Sequence, residues 1–230
     1  MTDPRFIDVD PAWREAHPGA AVGIIALQGV ANPSSHAGLN ELAVALEDDL
    51  RARPGNVNRE TLWATPPLPA YAAYYQRWGQ RYHVAMQLES VAQKGKALPR
   101  VAALVEAMFI AELRTLLLTA GHDLDAVALP VRLSAGTGEF FTAPNGKELA
   151  VKAGDMVIVD ARDRVLSAII TGPSDVARIG PDTTAALFCT YAPPGIDPAL
   201  VSSHLDEIAR NVRLISPDAE VVGREVVTEE

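Results

Sequence analysis

The stretch from Lys94 to Asp125 decides the fold prediction for this chain. It opens with Lys94-Gly95-Lys96-Ala97-Leu98-Pro99-Arg100, continues through an apolar run, and ends at Ala120-Gly121-His122-Asp123-Leu124-Asp125. A proline near the first turn and a glycine just past the last turn are typical of an α-helix. The stretch therefore predicts one long helix over Val101–Ala120, closed by Gly121 in the left-handed conformation.

The order of the remaining patterns predicts an α+β fold, because helices come first, strands come later, and no regular βαβ alternation occurs. A buried strand is expected at Ala21–Val30, and leucines at helical spacing predict a helix over Leu39–Leu50. A C-terminal amphipathic helix, Pro198–Val212, precedes an acidic tail that we expect to fray. Further strands are expected at Ala128–Leu133, Glu139–Thr142, Met156–Asp160, Val165–Ile170 and Ala186–Tyr191.

Three shorter patterns carry local predictions. Arg53-Pro54-Gly55-Asn56 is expected to break the helix before it, and Gly136-Thr137-Gly138 to form a hairpin turn. An aromatic stripe of Tyr71, Tyr74, Tyr75 and Trp78 lies on one helical face. Core packing is the favoured interpretation of this stripe, and a surface that stacks bases is the alternative.

Composition narrows the class of protein. The chain has 230 residues, 29 acidic against 20 basic side chains, and a formal net charge of −9. This excess of acidic side chains disfavours a general RNA binder, because RNA binding needs Lys and Arg at phosphates. At most weak, local contact with nucleic acid is expected. The start Met1–Arg5 does not resemble a signal peptide, no apolar run has membrane-spanning length, and Cys189 is the single cysteine. These features predict a cytoplasmic protein with no membrane contact.

Several kinds of site are not indicated by the sequence. The histidines lack the spacing of metal ligands, and there is no cysteine pair. No Gly-x-Ser-x-Gly elbow occurs, and the Gly136–Gly138 glycines do not open a helix after a strand. Neither a metal nor an organic cofactor is therefore expected.

Two segments are candidates for a binding site. The first is the corner at Gly121, His122 and Asp123, where Asp123 either pins the turn by accepting backbone N–H groups or lines a pocket. The second is the loop Thr171-Gly172-Pro173-Ser174-Asp175, whose amides and carboxylate suit an oxyanion or a polar substrate group. An ordinary turn with Asp175 as a cap is the alternative for the second segment.

An ordered set of motifs resembles one known family. The set comprises Leu98-Pro99-Arg100, the helix through Glu106, Asp123-Leu124-Asp125, Val157-Ile158-Val159-Asp160, Gly172, Asp182-Thr183-Thr184 and Leu187-Phe188. In this order it is similar to the B-three/B-four module of the phenylalanyl-tRNA synthetase β-subunit, and especially to free-standing relatives. The resemblance covers about residues 82–192. It implies layered mixed sheets packed with helices, with residues 1–81 as an N-terminal portion of the same domain, 82–192 as the core, and 193–230 as a C-terminal helix and tail.

In the synthetase this module hydrolyses the ester of a wrongly attached amino acid on tRNA. The resemblance therefore implies a trans-acting aminoacyl-tRNA deacylase, and not a complete tRNA ligase. The roles it implies fall into three groups: oxyanion binding by Thr171, Gly172 and Ser174; substrate binding by Asp175, Gly121, His122 and Met108; tRNA binding by Lys94, Lys96 and Arg100.

The sequence departs from the family pattern at polar positions of the pocket. Family polar residues fall at Ala102, Met108, Phe109 and Ala120, and the loop glutamate falls at Asp175. Two alternatives to the deacylase therefore stay open. One is a non-catalytic RNA- or tRNA-binding module, and the other is a binder of a small, amino-acid-like molecule on the same scaffold.

Overall fold

The computed structural model describes residues 5–54 and 58–228 of the chain. Gly55 and Asn56 of the expected helix break, the first four residues, and the last two residues of the acidic tail lie outside them. The helices are α1 (Pro11–Ala16), α2 (Ala37–Ala52), α3 (Arg59–Trp63), α4 (Leu68–Gln76), α5 (His83–Ala92), α6 (Ala103–Thr115) and α7 (Pro198–Ile215). The strands are β1 (Ile7–Val9), β2 (Ala21–Gln28), β3 (Leu118–Asp123), β4 (Val131–Ala135), β5 (Phe140–Thr142), β6 (Glu148–Ala150), β7 (Met156–Val159), β8 (Val165–Ala168), β9 (Gly172–Pro173), β10 (Ala185–Ala192) and β11 (Glu220–Val227).

These strands form mixed and antiparallel sheets that pack with the helices, which confirms the expected α+β class. One sheet has the order β1-β4-β7-β8-β9, with β1 parallel to β4. A second, antiparallel sheet has the order β11-β2-β10-β3. The second sheet takes strands from all three portions that the sequence suggested, and the boundaries of those portions stay a prediction.

The four-stranded sheet packs against α7, and its central strands are almost entirely apolar. Seven of the eight residues of β2 and all eight of β10 are buried. Gly23 of β2 lies against α7, because a Cβ atom there would approach Val201 Cγ1 to 2.6 Å. Helix α7 begins cleanly because Asp197 accepts a hydrogen bond from Ala199 N–H and Pro198 occupies the first turn.

The aromatic stripe on α4 is core, as its favoured interpretation predicted. Tyr71, Tyr74 and Tyr75 are between 0% and 4% exposed. The rings of Tyr71 and Tyr82 stack with their centroids 4.0 Å apart. The Tyr71 hydroxyl also accepts a hydrogen bond from Leu118 N–H at 2.9 Å, which fixes the first residue of β3. Trp78, the fourth residue of the stripe, lies just beyond α4 and is half-buried. A base-stacking surface is therefore excluded for the three tyrosines, whose rings do not reach solvent.

The predicted end of the long helix is wrong. Helix α6 stops at Thr115, because Leu116 takes the left-handed conformation (φ 64°) and its N–H closes the turn on Glu112 O at 2.6 Å. Residues 118–123 then pair with β10 as strand β3, in which Gly121 lies opposite Phe188. Strand pairing therefore overrides helix propensity here, and Gly121 does not serve as a helix cap.

Two further local predictions are also wrong. Gly136-Thr137-Gly138 does not make a hairpin turn, because β4 pairs with β7, β5 pairs with β6, and Gly136 N–H bonds Asp155 O at 2.8 Å. The acidic tail is not frayed over Glu220–Val227, because these residues form β11 along β2. None of the helices in residues 5–54 and 58–228 combines the length and apolar composition needed to cross a bilayer. A cytoplasmic location stays a prediction.

Candidate functional site

A cavity of about 460 Å³ lies where the edges of the two large sheets meet beneath α6. Strand β3 is at the edge of one sheet and β9 is at the edge of the other. The remaining wall is one face of α6, with Val101 and Ala102 just before the helix and Val105, Met108, Phe109 and Glu112 along it. Their spacing of three or four residues is that of a single helical face. The cavity is therefore a formed pocket with mainly apolar walls.

Glu112 is the buried acid of this cavity, with 3% of its surface exposed. Its Oε1 accepts a hydrogen bond from Thr119 N–H at 2.7 Å. Its Oε2 has no hydrogen-bond partner within the described part of the chain. Burial raises the pKa of Glu112 from 4.5 to about 8, against a smaller lowering by the Thr119 N–H. Glu112 is therefore neutral at pH 7 and can both donate and accept hydrogen bonds.

A satisfied polar chain stands behind Glu112. The Thr115 hydroxyl donates to Ala111 O at 2.9 Å, so it accepts from His204 Nδ1–H at 2.7 Å. His204 Nε2 then accepts from the Thr119 hydroxyl at 2.6 Å. Burial lowers the pKa of His204 to about 3, so its ring stays neutral. This arrangement is structural, since it joins α6, β3 and α7 and uses both ring nitrogens.

His83 lines the same cavity from the first turn of α5, in an exposed position. The Tyr75 hydroxyl donates to Ile169 O at 3.1 Å and lies 3.3 Å from His83 Nδ1. Because a hydroxyl has one proton, Tyr75 accepts from Nδ1–H, and Nε2 keeps its lone pair. Part of the side chain is open to solvent, yet neighbouring atoms desolvate the ring, and this desolvation lowers the pKa of His83. His83 is thus a neutral imidazole whose Nε2 is an available acceptor.

Four of the residues implied by the family resemblance do line the cavity. Gly121, Met108, Gly172 and Ser174 all contribute to its walls. Space at Gly121 is tight, because a Cβ atom would lie 2.9 Å from Ile179 Cδ1 and would require that side chain to shift. The amide of Ser174 is already used, since it donates to Leu166 O at 2.8 Å. Pro173 has no N–H, so the Pro173–Ser174 segment offers no free amide to an oxyanion.

The structure places the other implied substrate residues outside the cavity walls. Asp175 is exposed, and its amide donates to Thr142 O at 2.8 Å. His122 is 1% exposed and lies 3.0 Å from the Ser167 hydroxyl, because alternation along β3 turns it away from the Gly121 side. The Thr171 hydroxyl is buried without a hydrogen-bond partner in the described residues. Asp123 pins its corner, accepting from Asp125 N–H at 3.1 Å.

The expected basic patch is largely paired with carboxylates. Arg100 bonds Glu47 at 3.1 Å and lies 3.4 Å from Glu106, and Lys94 lies 3.4 Å from Glu89. Glu47 and Glu106 are buried, so Arg100 compensates their charge within the fold. Lys96 is exposed. The segment therefore presents less positive charge to a phosphate than its sequence suggests.

Glu112, His83 and Arg178 also line the cavity, and none of the three was predicted from the sequence. Glu112 was recognisable as a lone acid on an otherwise apolar helical face, a pattern that favours a specific role. Arg178 is an exposed side chain of the loop after β9, and no ion pair is formed by it within residues 5–54 and 58–228. Nothing in the sequence places His83 and Arg178 beside α6, because both arrive there through tertiary packing.

Comparison with known proteins gives little. No protein-family model matches the chain, and no curated protein matches its sequence. Among solved structures, an N-terminal fragment of the phenylalanyl-tRNA synthetase β-subunit from Pyrococcus horikoshii is similar over 98% of this chain, with 11% sequence identity and a TM-score of 0.48. The chain spans about half of that fragment, 52% of its length.

Proposed function

We propose that this protein binds a small, largely apolar molecule of amino-acid size in the cavity beneath α6. The observation that carries this proposal is a formed apolar cavity whose one deeply buried carboxyl, that of Glu112, has an unused oxygen. The volume of about 460 Å³ lies within the range of small-molecule sites, roughly 300–1,000 Å³. Few polar groups in an apolar wall are the usual arrangement for orienting such a ligand.

Charge supports a small molecule over a large nucleic-acid surface. The chain carries a net charge of −9, and Lys94 and Arg100 are already paired with Glu89, Glu47 and Glu106. Affinity for RNA depends on cations that are free to replace counterions at phosphates. Any tRNA contact in this proposal is therefore local and confined to the rim of the cavity.

Filling the cavity should abolish ligand binding. Val105 is half-buried in the middle of the α6 face, so Val105→Trp is expected to weaken binding at least about ten-fold by occupying the site. The matched control is Val44→Trp, at a position on α2 that is 49% exposed and outside the cavity. Binding is measured by calorimetry and amide chemical shifts with a panel of amino acids and aromatic amines. If the wild-type protein binds nothing in the panel, or if Val105→Trp binds as wild type does, the proposal is wrong.

A second candidate function is hydrolysis of an aminoacyl ester, with a mischarged tRNA as substrate. The available Nε2 of His83 favours it, because a neutral imidazole at the cavity wall can take a proton from an attacking water. The roles of Thr171 and Gly172 in binding the oxyanion, and of Asp175 in reading the substrate, remain part of this candidate. Lys94, Lys96 and Arg100 would contact acceptor-end phosphates, after Arg100 has released Glu47.

Deacylation of a panel of mischarged tRNAs tests this second candidate. General-base catalysis commonly contributes about 10²–10⁴-fold, so His83→Ala should lower the rate by that order. Asp175→Ala should change the choice of amino acid if Asp175 reads the substrate. The control is His36→Ala, at a histidine that does not line this cavity. Absence of wild-type activity on every tRNA excludes the hydrolase, and equal rates for wild type and Asp175→Ala remove the role of Asp175.

A further inference from the structure

We propose that Glu112 recognises a protonated amine, so that the preferred ligand is an organic ammonium ion with an apolar body. This inference rests on the proposed function of the cavity and adds the chemical class of its ligand. The carboxyl lies inside the cavity wall, and one of its two oxygens is unused.

A role of Glu112 in supporting the fold accounts for only one of its two carboxyl oxygens. Strand β3 is an edge strand, and Oε1 of Glu112 accepts the Thr119 N–H. A glutamine or a small polar residue could supply the same acceptor without burying an acid. Oε2 accepts no hydrogen bond in the described residues, although Glu112 is only 3% exposed and lines the cavity. A carboxyl oxygen without a protein partner in a cavity wall is available to a ligand group.

The titratable groups described around Glu112 are neutral, so Glu112 is the side chain among them that can pair with a cation. Three tyrosines interact with it electrostatically, namely Tyr71, Tyr75 and Tyr82, and burial raises the pKa of each above its ordinary value of 10. His204, which reaches Thr119 from α7, has its pKa lowered to about 3 by burial. His83 and Tyr191 also line the cavity. Desolvation lowers the pKa of His83 and raises the pKa of Tyr191, so it favours the neutral form of each. All these groups are neutral at pH 7.

Among the described residues, Arg178 is the cation of the cavity wall, and it lies at the other end of the cavity. Arg178 borders a neighbouring groove together with Ala102. Ala102 lies just before α6, ten positions ahead of Glu112, which is about 15 Å along the helix axis. Arg178 therefore does not neutralise Glu112. An anionic group would be drawn to the Arg178 end, whereas an ammonium group would be drawn to the Glu112 end.

An ammonium group gains more at Glu112 than a neutral donor does. Hydrogen bonds between ionised partners are about twice as strong as neutral ones, and more so where water is excluded. The proton balance is simple: the free carboxyl is protonated at pH 7, the ligand arrives as R–NH₃⁺, and the carboxyl proton leaves to solvent as the ion pair forms. Binding at pH 7 should therefore release close to one proton.

Three probes with the same phenyl body test the inference: phenethylamine, 2-phenylethanol and 3-phenylpropionate. Titration calorimetry at pH 7, repeated in buffers of different ionisation enthalpy, gives both affinity and proton release. We expect phenethylamine to bind at least about ten-fold more tightly than 2-phenylethanol. In Glu112→Gln, which keeps the acceptor for Thr119 N–H, the preference for the amine over the alcohol and the proton release should both vanish.

The possible outcomes distinguish failure of ammonium recognition by Glu112 from failure of the cavity to bind a ligand at all. If none of the probes binds the wild-type protein more tightly than it binds Val105→Trp, the proposed function of the cavity is wrong. If amine and alcohol bind equally to wild type, the cavity binds ligands but the ammonium inference is overturned. Tightest binding of 3-phenylpropionate overturns it as well, because the Arg178 end then selects the ligand. Proton release is measured on the wild-type protein, so the test does not depend on the stability of Glu112→Gln.

Discussion

Asp155→Ala should lower the free energy of unfolding by about 3–5 kcal/mol. Asp155 is fully buried, and its two oxygens accept hydrogen bonds from the Tyr74 hydroxyl at 2.7 Å and from Ile170 N–H at 2.9 Å. The Tyr74 oxygen in turn accepts Met156 N–H at 2.7 Å. Alanine leaves buried donors on α4 and on the turn after β8 without an acceptor.

Denaturation with urea at pH 7 measures this loss. The control is Asp206→Ala, an aspartate 59% exposed that pairs with Arg224 at 3.0 Å on the surface. Exposed ion pairs contribute about 0–1 kcal/mol, so this control should unfold almost as wild type does. Asp155→Asn should fall between the two, since it keeps one acceptor. A loss below about 1 kcal/mol for Asp155→Ala would show that the Asp155 hydrogen bonds do not stabilise the fold.

Glu112→Gln should make the protein more stable than wild type at alkaline pH. Burial raises the pKa of Glu112 in the folded protein from 4.5 to about 8. A group with a raised folded pKa contributes stability that is complete below pH 4.5 and is lost as pH rises through about 8. The variant lacks this loss, so its advantage should grow from about zero at pH 5 to roughly 4 kcal/mol at pH 9.

The difference between the two proteins isolates Glu112 from the histidines. Burial lowers the pKa of His17 and of His122 to about 4, so both destabilise the fold as pH falls below 6.5. That effect is common to wild type and variant and cancels in the difference. Chemical denaturation at pH 5, 7 and 9 gives the curve. A difference that stays constant with pH would mean that Glu112 is charged at pH 7, and the proton release proposed above would then not occur.

Local sequence signals predicted the fold where they agreed with the tertiary structure. The run at Ala21–Val30 became β2, because eight consecutive residues without charge suit a strand covered on both faces. The helix over Leu39–Leu50 formed as α2, and Leu39, Leu46 and Leu50 are buried as their spacing requires, with Leu42 half-buried beside them. The end of α6 was missed because Leu116, a residue that rarely takes positive φ, closes the helix instead of Gly121.

The site was predictable to a smaller extent. Gly121, Met108, Gly172 and Ser174, which the family resemblance singled out, line the cavity, and the roles implied for them stay predictions. Glu112 was not identified, since its significance depends on an oxygen that only the folded structure shows to be unpaired. His83 depends on the tautomer that Tyr75 sets from another helix. Such long-range relations between side chains leave no periodic signal in a single sequence.

The position of β2 in its sheet has a consequence for biosynthesis. Its neighbours, β10 and β11, come from residues 185–192 and 220–227, whereas β2 itself is residues 21–28. A ribosome therefore releases this apolar strand long before either partner exists. The nascent chain must keep an aggregation-prone segment unpaired until residues 185–192 and 220–227 have been translated. This sheet therefore forms long after β2 has been synthesised, and its many non-local contacts should make its folding slow.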